Sequence, residues 1–74
     1  MDLQKFIADF ADQFDETDAS EITAETKFHD LEEWSSLVGM GVIALAKTKY
    51  SKSITGKDIR QCMTVKDLYN LIAG

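Results

Sequence analysis

The sequence predicts an all-α fold, and three observations carry that prediction. Proline is absent from the 74 residues and glycine occurs four times, which removes the usual punctuation of sandwiches and barrels. Apolar side chains near both ends recur at intervals of three and four, the spacing of one helix face. Hydrophobic residues make up 45% and charged residues 28%, enough for a modest core and too apolar for a disordered chain. The length allows one domain over residues 1–74.

Each element follows in order. Leu3, Phe6, Ile7, Phe10 and Phe14 form the stripe of a first amphipathic helix, with Asp2 placed as its N-cap and Asp9, Asp12 and Asp15 on the outer face. Residues 16–35 then lose the period and turn polar, except for Ile22, Phe28, Leu31 and Trp34. A connection of about 20 residues is long for a compact domain and usually functional; the four apolar side chains are expected to pin it as an ordered loop. Residues 37–46 contain no charge, and a helix apolar all round is covered on more than one side. Ser35 or Ser36 can cap its start, while Lys47 and Lys49 suit the negative end of its dipole. Thr55 before Asp58 and Thr64 before Asp67 resemble capping boxes with aspartate at the third position. They open a short helix near Gly56–Gln61 and a longer one over Val65–Ala73, whose apolar face is Val65, Leu68, Tyr69, Leu71 and Ile72. The expected core combines Leu3, Phe6, Phe10, Phe28, Val42, Ala46, Ile54, Cys62, Val65, Leu68 and Ile72, which meet only if the long loop folds over one end of the bundle.

Composition also narrows function. A chain this small buries only about 60% of the surface its unfolded form exposes, too little to enclose a substrate pocket, so no catalytic residues and no enzyme activity are expected. Cys62 has no second cysteine to pair with, and one thiol with His29 is too few ligands for a structural zinc site. Cys62 is read as a small core residue. No stretch approaches the roughly 20 apolar residues of a membrane span, and Met1-Asp2-Leu3-Gln4-Lys5 lacks the basic start and apolar run of a signal peptide. The expectation is a cytoplasmic, metal-free monomer without membrane insertion. The net charge of −5 disfavours a nucleic-acid partner, although Lys47, Lys49, Lys52, Lys57 and Arg60 lie close in sequence. Residues 1–33 carry eleven acids against Lys5 and Lys27, a balance of −9, whereas residues 34–74 carry six bases against Asp58 and Asp67, a balance of +4. The halves face different electrostatic partners, or each other.

The run Thr26-Lys27-Phe28-His29-Asp30-Leu31 followed by Glu32-Glu33-Trp34-Ser35-Ser36-Leu37 resembles the loop and second-helix start of acyl carrier proteins. In that family a threonine, an aromatic and a leucine pin the first loop before an Asp-Ser-Leu attachment motif. The resemblance spans essentially the whole chain, through a last helix opened by Thr64-Val65 and closed by Leu71-Ile72. It implies an acyl-carrier-like bundle of three longer helices plus one short helix, with a long ordered loop between helices 1 and 2. It also implies that Ser36 carries 4′-phosphopantetheine, supplied by coenzyme A through a phosphopantetheinyl transferase. The arm's thiol, rather than Cys62, would hold an acyl group as a thioester for acyl-loading and synthase enzymes.

The placement of Leu37 and the helix start put Ser36 in the first turn and leave Ser35 as the cap; this suits such an attachment on physical grounds, because the first turn of a helix offers unpaired N–H groups and the positive end of the dipole to a phosphodiester, worth about 0.3–1 kcal/mol. The sequence departs from the family pattern in two ways: Ser35 stands where most members have aspartate, and residues 37–50 contain no acid. These departures point to a dedicated fatty-acid, polyketide or peptide-type pathway rather than housekeeping fatty-acid synthesis. Ser35, Leu37, Val38 and Met40 are the candidate partner-binding residues, with Asp30, Glu32 and Glu33 as acids near the arm. Gly39 and Gly41 cost about 1 kcal/mol each inside a helix, so close approach of a neighbouring helix, the arm or a partner is expected there. Trp34 is read as a loop anchor rather than a ligand residue. His29, seven residues before Ser36, could pair with it as a base, but no third group is evident to orient the ring. The competing assignment is an unmodified carrier-like helical interaction domain that uses the apolar surface of residues 37–46 for docking.

Overall fold

Each of the four α-helices among the described residues starts on a side chain that meets orphan backbone N–H groups. In the computed structural model, which describes residues 2–73, the Asp2 carboxylate accepts from the Gln4 N–H at 3.1 Å and opens α1, Leu3–Ala11. Ser35 opens α2, Ser36–Tyr50. The Thr55 and Asp58 side chains cap one another's backbone to start α3, Gly56–Gln61. Thr64 and Asp67 do the same for α4, Val65–Ala73. The described residues contain these four α-helices and two short 3-10 turns, Ala19–Glu21 and Phe28–Asp30, with no strand.

α1 packs on α4 and α2, and α2 also packs on α3 and α4. Phe6, Phe10, Phe28, Val42, Val65 and Leu68 are fully buried at the centre. The long loop folds over the bundle end as its apolar residues require. Phe28 stands edge-on to Phe10 with ring centroids 5.7 Å apart, and Trp34 stands edge-on to Phe28 at 4.7 Å. The loop also serves the last helix: the carbonyls of Ala24 and Thr26 accept from the Lys66 and Val65 N–H groups at 2.9 and 3.1 Å. At the far end of α2, Ser51 adopts a left-handed conformation (φ 54°). The Lys52 N–H then reaches back to the Ala46 carbonyl at 3.0 Å, a Schellman closure formed without glycine.

Three expectations about α1 need correction. The helix stops at Ala11, and Phe14 reaches the core from a tightened turn whose N–H bonds run from Gln13 to Phe10 and from Phe14 to Ala11. Leu3 is only half-buried and lies outside the core, because it occupies the first turn, where the bundle ends. Asp9 is not on the outer face. It is buried, with Tyr50 Oη donating to its carboxylate at 2.5 Å and Lys49 Nζ at 3.1 Å. The Tyr50 hydrogen bond first, and the Lys49 ammonium second, hold the Asp9 carboxyl below the usual carboxylate range. Burial, reinforced by that carboxylate, pushes the Tyr50 phenol up to about 12.

Candidate functional site

Two adjacent serines divide the work at the start of α2. Ser35 has extended backbone (φ −155°) and its Oγ accepts from the Val38 N–H at 3.4 Å, so Ser35 is the N-cap. Ser36 is therefore the first helical residue, and its exposed hydroxyl is not used in capping. The N–H groups of Ser36 and Leu37 have no partner within the helix. Such unpaired donors at the positive end of a helix favour an anion.

The backbone entering this turn is held by Glu33. Its carboxylate accepts from the N–H groups of Asp15, Glu16 and Thr17 at 2.7, 3.0 and 2.8 Å, and from the Thr17 hydroxyl at 2.7 Å. The Thr17 hydroxyl contributes most to holding the Glu33 carboxyl below its ordinary range, and the backbone donors add to it. Glu33 is thus a clamp between the end of α1 and the start of α2, and its charge is directed inward. Of the three acids expected to face a partner near the arm, Asp30 and Glu32 are exposed.

An open groove of about 490 Å³ begins at Ser35 and Ser36 and runs between α2 and α3. Trp34, Met40, Ile43 and Ile59 provide its apolar walls, and Arg60 its formal charge. His29 lines one edge of it. The Nε2 of that ring lies 3.1 Å from the Ile59 carbonyl and 3.0 Å from the Cys62 carbonyl; carbonyls only accept, so Nε2 bears the proton and ties the loop to the end of α3. Trp34 serves both as loop anchor and as groove wall, which extends the expectation of an anchor alone.

Of the candidate contact residues on α2, Leu37 and Met40 are 78% and 65% exposed, whereas Val38 is half-buried and packs against the core. Gly39 is buried beneath Trp34, where an added Cβ would stand 3.7 Å from the indole. Gly41 faces the Gln13 side chain, 2.7 Å from where a Cβ would lie. The close neighbours at both glycines are therefore side chains of the chain itself. Cys62 is buried, and burial first, with Asp67 and Asp58 adding to it, pushes its thiol up, so it stays protonated and is a poor nucleophile.

The groove, the Glu33 clamp and the Asp9 cluster are absent from the sequence-level description. Arg60 had one signal: it is the single arginine among seven lysines. Among the described residues no group of three or more His, Cys, Asp or Glu could hold a metal ion, and no helix is long and apolar enough to cross a membrane. No family model, curated protein or solved structure matches the chain.

Proposed function

We propose that this protein is an acyl carrier. Ser36 bears 4′-phosphopantetheine through a phosphodiester, and acyl intermediates ride as thioesters on the thiol that the arm supplies. The observation that supports this most is the division between the serines: Ser35 is spent on capping, while Ser36 presents a spare, exposed hydroxyl at the positive end of a 15-residue helix. The donor set suits a phosphodiester, since it comprises unpaired first-turn N–H groups and no carboxylate lines the adjoining groove. In loading, Ser36 exchanges its Oγ–H bond for an Oγ–P bond to the pantetheine phosphate of coenzyme A. Adenosine 3′,5′-bisphosphate leaves, and the transferase takes the proton.

The chain's own residues then orient and present. Glu33 fixes the turn, Ser35 caps it, and exposed Leu37 and Met40 offer apolar contact to acyl-loading and synthase enzymes of a fatty-acid, polyketide or peptide-type pathway. The same exposed pair favours a second reading, an unmodified helical interaction domain. Intact mass after incubation with coenzyme A and a broad-specificity phosphopantetheinyl transferase separates the two. One added arm is expected on the wild type and on Ser35→Ala, and none on Ser36→Ala with helicity retained. An unchanged wild-type mass, or loss of the addition in Ser35→Ala alone, overturns the assignment.

A further inference from the structure

The exposed side of α2 lies between flanks of opposite charge. At about 100° per residue, Leu37, Ala44 and Thr48 fall within about 40° of one another on the helix, and all three are exposed. Gly41 stands on one side of this stripe and faces Gln13, in the turn that ends α1. Ser36 and Met40 stand on its other side and line the groove toward α3. Beyond Gly41 the border is acidic. Asp12, Asp15 and Glu16 are exposed, their carboxylates have no partner among the described residues, and Glu33 holds the backbone of residues 15 and 16 beside the start of α2. Beyond Met40 the border is basic. Arg60 on the groove wall and Lys57 on the same helix are exposed and unpaired among the described residues, and the one acid of α3, Asp58, is spent on the Thr55 N–H. Lys5, the one base of α1, lies at the far end of the stripe, beside Asp9 and Lys49.

We infer that this face is an interface between two copies of this chain. The inference goes beyond the carrier function and concerns the folded chain whether or not Ser36 is modified. Charge complementarity selects the occupant: a stripe with acid on one side and base on the other is complementary to itself. In a molecule of 26 × 24 × 19 Å, even a small stable interface, about 600 Å² from each partner, takes in most of one face, so the charged flanks enter it together with Leu37 and Met40. Closed pairing places a two-fold axis in the plane of contact. An axis running along α2 sets each acidic flank against the other copy's basic flank, whereas an axis across α2 sets acid on acid and base on base. Charge therefore selects parallel α2 helices, with Leu37, Ala44 and Thr48 each meeting its own counterpart and Asp12 of each copy on the side of the other's Arg60. The interface is small and the net charge of −5 repels at a distance. The pair is accordingly weak, and the monomer expected from the sequence is its dilute form.

Sedimentation velocity of the unmodified protein from about 10 µM to about 1 mM reads the association, and the wild type is expected to pass from monomer toward dimer. The variants are Asp12→Arg, Arg60→Asp and the two together, with circular dichroism checking that each keeps its helices. Each single reversal moves the net charge of −5 by two, and the pair restores it. Each single variant sets like charges together on both sides of the axis and is expected to weaken the dimer by about fivefold or more, the size of exposed ion pairs lost twice over. Net charge alone would instead make Asp12→Arg associate more tightly. The double variant is expected to recover wild-type association. Met40→Glu places two carboxylates near the axis and is expected to weaken the dimer about tenfold or more. Thr48→Cys is expected to cross-link to its own counterpart on mild oxidation, whereas the wild type, whose Cys62 is buried, is not. A wild type that stays monomeric throughout overturns the inference and leaves the stripe to a different protein, with the carrier function untouched because mass reads it separately. A double variant no stronger than the singles also overturns it, and a dimer in which Thr48→Cys does not cross-link overturns the parallel arrangement.

Discussion

The two ends of α2 are built oppositely. The last turn is tied down: Lys49 and Tyr50 close on buried Asp9 of α1, and the Lys52 N–H folds back onto Ala46 across left-handed Ser51. The first turn leaves a hydroxyl unused at Ser36, two large apolar side chains exposed at Leu37 and Met40, and an open groove alongside. The difference teaches how one end of a helix can be closed on the bundle while the other is left open to display an unused hydroxyl. The helix is anchored at the end away from the display, and the display end is steadied from beneath by the loop through Phe28, Trp34 and Glu33.

The largest expected effect breaks the display end. Phe28 is fully buried, edge-on to both Phe10 and Trp34. Phe28→Ala is expected to cost about 3–5 kcal/mol, a large share of the roughly 5–15 kcal/mol that holds a domain together. Chemical denaturation measures the loss. Under native conditions the amides of residues 33–40 are expected to lose more hydrogen-exchange protection than those of residues 45–50. Equal loss at both ends would mean that the loop does not support the first turn separately.

Next in size is the anchor. Asp9→Ala leaves the Tyr50 hydroxyl and the Lys49 ammonium without their carboxylate and is expected to cost about 1–3 kcal/mol, with loading at Ser36 unaffected. The pH dependence has a fixed sign. Because the Asp9 carboxyl is held below its ordinary value, its stabilisation is present above the unfolded value of about 3.9 and is lost as pH falls through the lowered folded one. Glu33 and Asp67 are lowered too, so the wild type loses stability in acid from both ends of α2 and from the start of α4. The Asp9→Ala protein is expected to lose less over the same acid titration, read by urea midpoints. An identical acid slope would show that the Asp9 cluster contributes nothing to it.

These two regions were also unequally legible in the sequence. The apolar stripes of α1 and α4 are local, and so are the Thr55 and Thr64 capping boxes; spacing alone places them, and α3 and α4 keep the expected bounds. Phe28 was legible as an anchor because one of the few large apolar side chains in a polar loop is expected in the core. Asp9 was not. A helix-wheel argument puts a carboxylate on the wet face, and its partners lie about forty residues away in sequence. Leu3 errs in the opposite direction, since the stripe does not reveal that the bundle stops beneath it. Ser35 as the cap, with Ser36 in the first turn, was legible from the helix start, and the backbone angles agree, whereas the groove required the docking of α2, α3 and the loop. Local chemistry was readable, whereas every feature that joins two elements through a polar side chain was not.

The smallest effect bears on why glycine sits at position 39. Inside a helix glycine is about 0.5–1 kcal/mol less favourable than alanine, and nothing in the fold requires it here: its φ is not positive, and an added Cβ would meet Trp34 at 3.7 Å, an ordinary van der Waals distance. Gly39→Ala is therefore expected to stabilise the protein by about 0.5–1 kcal/mol, visible as a thermal midpoint higher by a few degrees. Gly39 also lines the groove beside Ser36, so the new methyl narrows it. Gain in stability would show that the packing of Trp34 on α2 does not need the glycine. A destabilised Gly39→Ala would show instead that Trp34 sits too tightly on α2 to give way, and that the glycine belongs to the packing of the display end.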